Sequence, residues 1–239
     1  MGPEPGRLIG TGRAAEVYDL GDGRVLRRYR DSIPAAAAAA TVAKEVAVMG
    51  HVRAQGYPTP EVFDADGRDL VMARLDGVTM LDDLQPHPWR VDRHADAMVE
   101  LHRRLVEVPV GALGSPNSGL TAPFDRPDVI VHLDFHPGNV MLTDDGPVVF
   151  DWSNAALGPA AADVAHAWVI GATSNLEGPW WIRILGERLR RRFVDRFVDG
   201  CGRAAAIELL PAMGAHRLAD PNTFPEEAVR VRELVARYP

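Results

Sequence analysis

Cysteine is nearly missing from this chain: Cys201 stands alone among 239 residues. One thiol cannot build an internal disulfide framework, so a packed core has to hold the fold, and the cytoplasm is the expected location. Lysine is as scarce. Lys44 is the sole lysine among 26 basic residues, the rest being arginine, as codon bias in a GC-rich genome would produce. No apolar run approaches the roughly 20 residues that span a bilayer. Met1 to Gly6 is rich in proline and glycine and has no apolar signal core, so export is not expected. Positive charge is outnumbered, with a formal net charge of −7. That balance gives no support for a nucleic-acid partner, and no membrane partner is expected either. What is present is ordinary for a globular protein: 46% hydrophobic and 25% charged residues, in a chain long enough for a substantial core.

Short apolar pieces come first. Leu8-Ile9, Val17-Tyr18 and Val25-Leu26 are separated by glycine-bearing turns and read as strands. Ala35 to Ala54 is helical in composition, with Val42, Val46 and Met49 at helix spacing. Val62-Phe63 and Leu70 to Met72 read as two further strands around a turn at Asp66-Gly67. Gly77 to Pro88 reads as a connector, and Val91 to Val106 as a second long helix with Ala95, Met98, Leu101 and Leu105 in a stripe. Pro109 to Pro127 is loop-like. Three short strands follow, at Val129–Val131, Val140–Leu142 and Val148–Phe150. Beyond Pro159 the pattern is helical, with breaks expected near Gly178-Pro179, Gly200 and Pro221. Strands dominate early and helices late, which predicts an α+β protein. The expected division is a small β-rich N-terminal lobe, residues 1–75, and a helical C-terminal lobe, residues 76–239.

The segment Val131-His132-Leu133-Asp134-Phe135-His136-Pro137-Gly138-Asn139-Val140 carries the strongest chemical signal. An apolar strand delivers Asp134, an amide follows at Asn139, and the strand ending at Phe150 delivers Asp151. Asp and Asn also cap ordinary turns, so the loop alone admits a purely structural reading. Two carboxylates and an amide at adjacent strand ends, however, form an oxygen donor set that suits Mg2+. Phosphoryl transfer needs such a set: one carboxylate to orient the attacking hydroxyl, and a second with an amide to hold the metal.

The pattern His132-x-Asp134-x-x-x-x-Asn139, followed by Asp151-Trp152, resembles the aminoglycoside phosphotransferase and choline kinase group, with its protein-kinase-like fold. Gly158-Pro159 with Asp163-Val164-Ala165 is similar to a further segment of that family, and the likeness runs over roughly Leu8 to Ala167. The resemblance implies ATP and Mg2+ as cofactors. It implies Asp134 as catalytic base, Asn139 and Asp151 as metal ligands, His132 as a brace for the loop, and Asp163 as an anchor of its backbone.

The same resemblance implies a nucleotide site in the N-terminal lobe. Gly10-Thr11-Gly12-Arg13-Ala14-Ala15-Glu16-Val17 is similar to a phosphate-covering glycine hairpin, with Ala15 in place of the third glycine. A plain β-turn would give the same residues. The family's third strand carries a phosphate-binding lysine; here it reads Arg24-Val25-Leu26-Arg27-Arg28-Tyr29. Alternation puts Val25 and Arg27 on one face, so Val25 would touch the adenine and Arg27 would take the lysine's place, with Arg28 the alternative if the register slips. Glu45 is the partner the resemblance implies, or else a solvated helix charge. Leu70 to Gly77 resembles the hinge, with Met72 bordering the adenine and Ala73 C=O and Leu75 N–H bonding to it; an ordinary strand leading out of the lobe is the other reading. His102, in Leu101-His102-Arg103-Arg104-Leu105, reads as a packing or capping residue. Arg188, Arg190, Arg191 and Arg192 read as a solvated basic helix face, with a phosphate or polyanion role as the other reading, Trp180-Trp181 as core or acceptor-pocket lining, and Cys201 as inert.

The resulting expectation is a small-molecule kinase that moves the γ-phosphoryl group to a hydroxyl of an aminoglycoside-like compound, amino alcohol or sugar. A nucleotide-binding pseudokinase is the alternative, because arginine stands where lysine should. A protein kinase is disfavoured: only eleven residues separate Asp151 from Asp163, too few for an activation segment.

Overall fold

The computed structural model describes residues 4–115, 120–121, 123–173, 180–220 and 223–238, with the backbone alone at 180–184. The side chains of Trp180 and Trp181 therefore lie outside the described set.

Five strands build the first sheet: β1 (Arg7–Thr11), β2 (Ala15–Asp19), β3 (Arg24–Tyr29), β4 (Val62–Asp66) and β5 (Asp69–Ala73). Their order is β1-β2-β3-β5-β4, antiparallel throughout. Helix α1 (Ala35–Ala54) crosses between β3 and β4 and packs on β4 and β5. Its buried stripe is Ala38, Val42, Glu45, Met49 and Val52, the spacing of one helix face. A carboxylate in the middle of that stripe breaks the apolar pattern and marks a polar contact beneath the helix.

The expected connector holds structure. Thr79 caps a short helix, α2 (Met80–Leu84), by accepting the Asp82 N–H at 3.0 Å, and the two-residue strand β6 (Val78–Thr79) precedes it. So short a strand exists only because Val78 and Thr79 pair with Leu142 and Met141. Helix α3 (Val91–Val106) follows, with Val91, Ala95, Met98, Leu101 and Leu105 buried.

Strand β7 (Val129–Val131) leads into the Asp134 loop. Strands β8 (Val140–Thr143) and β9 (Gly146–Val149) form a hairpin that β6 completes as a three-stranded sheet. Strand β10 (Ala156–Gly158), absent from the sequence reading, pairs with β7. The rest is helical: α4 (Ala161–Thr173), α5 (Trp180–Cys201), α6 (Arg203–Ala219) and α7 (Pro225–Arg237).

The break expected at Gly200 falls two residues later. Gly202, at φ 104°, turns the chain between α5 and α6, while Gly200 stays helical. A Cβ at Gly200 would sit 2.6 Å from Val99 Cγ2, so this glycine serves the close approach of α5 to α3. Arg192 and Arg196 on α5 bind Asp92 and Asp96 on α3 at 2.6 and 2.5 Å, making that part of the basic run a solvated zipper between two helices. Among the described residues no helix is long and apolar enough to cross a membrane.

Candidate active site

Strand alternation aims Arg27 beneath the sheet, where it is buried. Its Nη1 donates to Glu45 Oε1 at 2.6 Å and its Nη2 to Asp151 Oδ1 at 2.7 Å. The Tyr29 hydroxyl, two residues along the same face, donates to the other Glu45 oxygen at 2.8 Å. Glu45 is fully buried, so the reading of it as a solvated charge is overturned. Burial raises its carboxyl above the ordinary range, against the pull of Arg27. Arg28 points elsewhere, to Asp69 at 2.7 Å, so the register places Arg27 and not Arg28 beneath the sheet.

Opposite Arg27 lies the loop from β7. Leu133 and Asp151 are the two non-glycine residues with left-handed backbone among those described, at φ 54° and 65°. Such positions cost of order 1–3 kcal/mol each and persist where surroundings over-determine them. The bracing is visible. Asp163, buried on α4, accepts the His132 N–H at 3.0 Å and the Leu133 N–H at 2.7 Å. The His132 ring donates from Nε2 to the Phe150 carbonyl at 3.1 Å and lies 4.6 Å from the Trp152 ring. Burial lowers the His132 pKa, so the ring is neutral.

Asp134 sits in this frame with two neighbours. Asn139 Nδ2 donates to its backbone oxygen and to Oδ2, both at 2.9 Å. His136 accepts the Gly138 N–H on Nδ1, which leaves Nε2 as the protonated nitrogen, 3.5 Å from Asp134 Oδ1. Burial pushes the Asp134 carboxyl up, but His136, with His132 and His166 adding to it, prevails and holds it below the usual carboxylate range. Asp151 is likewise held low: burial raises it, and Arg27 with the Ser153 hydroxyl at 2.8 Å outweighs burial.

Asp151 Oδ2 and Asn139 Oδ1 take no hydrogen bond among the described residues, whereas the other oxygen and the amide nitrogen are engaged. Two hard oxygen donors fit Mg2+, which fills its remaining positions with water and phosphate oxygens. The described residues contain no cluster of three or more His, Cys, Asp or Glu side chains that could hold a metal.

Sheet and loop face each other across a cleft of about 1590 Å3. Gly12, Arg27, Met72, Asp134 and Asp151 all line it. Glu45 and Asn139 stand behind Arg27 and Asp134, and Gly10, Thr11, Val25, Ala73 and Leu75 are not among its lining residues. Val25 is nonetheless paired with Met72 in the sheet. Gly12 N–H closes the β1–β2 hairpin on the Ala15 carbonyl at 2.8 Å. His136 and His166 were missed in the sequence. The first could have been read from its place two residues beyond Asp134; the second is thirty-two residues away and gives no local signal. His102 donates to the Ala160 carbonyl at 3.1 Å, a packing role. Cys201 is half-buried, its thiol pushed up to about 12 by burial, and so unreactive.

A strand-borne cation bonded to a helix glutamate and to one strand-end carboxylate, with a second carboxylate on the same cleft, defines a protein-kinase-like enzyme of the small-molecule kinase class. The chain belongs to the phosphotransferase enzyme family, whose model matches residues 6–124 and 118–207. Among solved structures, a thermostable aminoglycoside phosphotransferase APH(4)-Ia in complex with ADP and hygromycin B superposes with a TM-score of 0.65. Its identity is 17%, and the match covers 97% of this chain and 92% of that one. ADP-bound aminoglycoside phosphotransferase APH(2'')-Ib gives 0.59 at 13% identity, over 96% and 91% of the two chains. The streptomycin–ATP complex of APH(2'')-IIa gives 0.56 at 12%, over 97% and 90%. At these identities the likeness establishes the two-lobed fold. A comparison with curated protein sequences gives no match. The family and its nucleotide-bound neighbours support an ATP-dependent phosphotransferase.

Proposed function

We propose that this enzyme transfers the γ-phosphoryl group of ATP to a hydroxyl of a small molecule, with residues 1–75 carrying the nucleotide and 76–239 the chemistry. The observation that carries the reading is the meeting of Arg27, Glu45 and Asp151 across the cleft from Asp134. Asp134 orients the acceptor hydroxyl and takes its proton. A carboxylate with so low a pKa is a weak base, which suits a loose transition state in which positioning matters more than proton abstraction. Asn139 steers that carboxylate and, with Asp151, would hold Mg2+; when bound, the ion supplies neutralisation of the charge on phosphate oxygens. Arg27 grips the α and β phosphates, with Glu45 holding the guanidinium in place. Gly10, Thr11 and Gly12 cover the phosphates. Val25, Met72, Ala73 and Leu75 border the adenine, the last two through backbone groups.

The nucleotide-binding pseudokinase is the second reading, favoured by one contact: Arg27 already occupies an oxygen of Asp151. ATP consumption separates the two, measured with magnesium across hydroxylated amines, sugars and antibiotics. Turnover that Asp151→Asn abolishes, or that then needs far more magnesium, supports the kinase. Magnesium-dependent ATP binding with no turnover on any acceptor supports the pseudokinase, and no ATP binding contradicts both.

A further inference from the structure

Beyond Asp134 the cleft continues between α4, α5, α6 and α7. One drug-sized ligand needs roughly 300–1,000 Å3, so about 1590 Å3 holds a nucleotide and a second molecule. The wall of this far end is largely apolar, with Ile170, Leu189, Phe193, Val194 and Phe197 among its residues.

Its carboxylates are committed. Asp220 and Glu227 line it, and Arg217 donates to both, Nη1 to Asp220 and Nη2 to Glu227, each at 3.0 Å. Arg190 also lines it and is paired with Glu187, which Arg191 holds as well at 2.8 Å. Among the described residues, no carboxylate that α4 to α7 contribute to the cleft is without an arginine partner. An ammonium group entering here would lose water and find no open carboxylate among the described residues of α4 to α7, which is unfavourable.

One polar group is unpartnered. His166 is 5% exposed and lines the cleft, and its buried Nδ1 has no hydrogen-bond partner among the described residues. The His216 ring stands 5.4 Å away, edge to face. Burial pushes the His166 pKa down to about 4, with Asp134 pulling up and His216 and Arg217 pushing further down. At neutral pH the ring is therefore uncharged, with one donor and one acceptor nitrogen, of which Nδ1 is buried.

We propose that the acceptor is an uncharged alcohol with a predominantly apolar body, held by hydrogen bonding to His166 at the His166–His216 pair rather than by carboxylates of α4 to α7, while Asp134 orients the hydroxyl that reacts. The proposal rests on the phosphotransferase reading and names its substrate class. It sets this cleft apart from a site for polycations.

The test uses the full chain loaded with magnesium and AMP-PNP, and saturation-transfer NMR. Digoxigenin and erythronolide B are the uncharged probes; kanamycin and choline are the cationic ones. Binding of an uncharged probe without the cations, and its phosphorylation with Mg-ATP by mass spectrometry, is the expected result. Its KM should stay within about twofold from roughly 0.05 to 0.5 M NaCl, because screening acts on charge pairs. His166→Phe keeps the packing of the ring and removes both nitrogens. It should raise acceptor KM about tenfold, the loss of one hydrogen bond, with ATP KM nearly unchanged. His166→Gln, which retains a donor and an acceptor, should fall between.

Kanamycin or choline binding in preference, a KM that climbs steeply with salt, or binding of neither probe class overturns the proposal while leaving AMP-PNP binding and the phosphotransferase reading intact. Equal acceptor KM in wild type and His166→Phe overturns the role of His166. Failure to bind AMP-PNP strikes the phosphotransferase reading itself, and this proposal with it.

Discussion

Arginine at position 27 changes what a strand-borne cation can hold. A single ammonium presents one nitrogen, whereas the guanidinium reaches Glu45 and Asp151 with two separate nitrogens at 2.6 and 2.7 Å. Removing it strands a fully buried carboxylate. Arg27→Ala should therefore cost about 3–5 kcal/mol of stability, the usual penalty for breaking a buried pair. It should also raise the KM for ATP well beyond tenfold, both effects being read by denaturant titration and initial rates. Wild-type stability and ATP KM in that variant would remove Arg27 from the site. Arg27→Lys should retain activity and lower the magnesium needed for half-maximal rate, because Asp151 is released. A second residue-scale expectation concerns pH. Burial pushes Asp163 up to about 7, the two N–H donors pull it back, and Asp134 adds to the rise. Its folded pKa lies above the unfolded value, so the folded state binds the extra proton, and this group's contribution to stability falls as pH climbs from about 4 to 7. Asp163→Asn removes that slope. It also turns an amide NH2 toward a backbone donor, costing about 1–3 kcal/mol at every pH. Denaturant midpoints at pH 5 and pH 8 for both proteins test this. Asp134, Asn139 and Asp151 were legible because one short loop and the next strand end carry them. His136 and His166 were not, because their distance from Asp134 is set by the fold and not by spacing.

Among the elements, the long helices and the strands with an apolar core of their own were readable, and the short strands β6 and β10 were not. Helices α1 and α3 announce themselves through stripes that need no partner to be seen. Strands β6 and β10, of two and three residues, exist through their partners β8 and β7. Glycine was misread for the same reason. At Gly202 the backbone demands it, while at Gly200 a neighbouring helix does. Gly200→Ala separates the two roles. Helix propensity alone predicts a gain of about 1 kcal/mol. The Val99 contact at 2.6 Å predicts overpacking instead, a net loss of about 1–2 kcal/mol by thermal or denaturant unfolding. A stabilised variant would contradict the packing account of this helix pair. The ion pairs between α5 and α3 are exposed and should matter little to stability.

In the whole molecule, a five-stranded sheet with one helix faces a mainly helical body, and the cleft between them holds the candidate site. Strand-early, helix-late order made that architecture readable, since each class of element covers its own apolar face. The proposed acceptor end was not readable, because its wall is assembled from residues scattered over α4 to α7, none of them in a motif. Only the folded arrangement shows Arg217 between Asp220 and Glu227, and His166 beside His216. The central claim, that Asp134 serves transfer of the γ-phosphoryl group, has a direct test. Phosphoryl transfer from Mg-ATP is measured for wild type and Asp134→Ala over the same acceptors at saturating nucleotide. The account predicts a rate lower by about 10²–10⁴ with nucleotide affinity retained, the usual worth of a positioned acid–base group. Equal rates in the two proteins would contradict it.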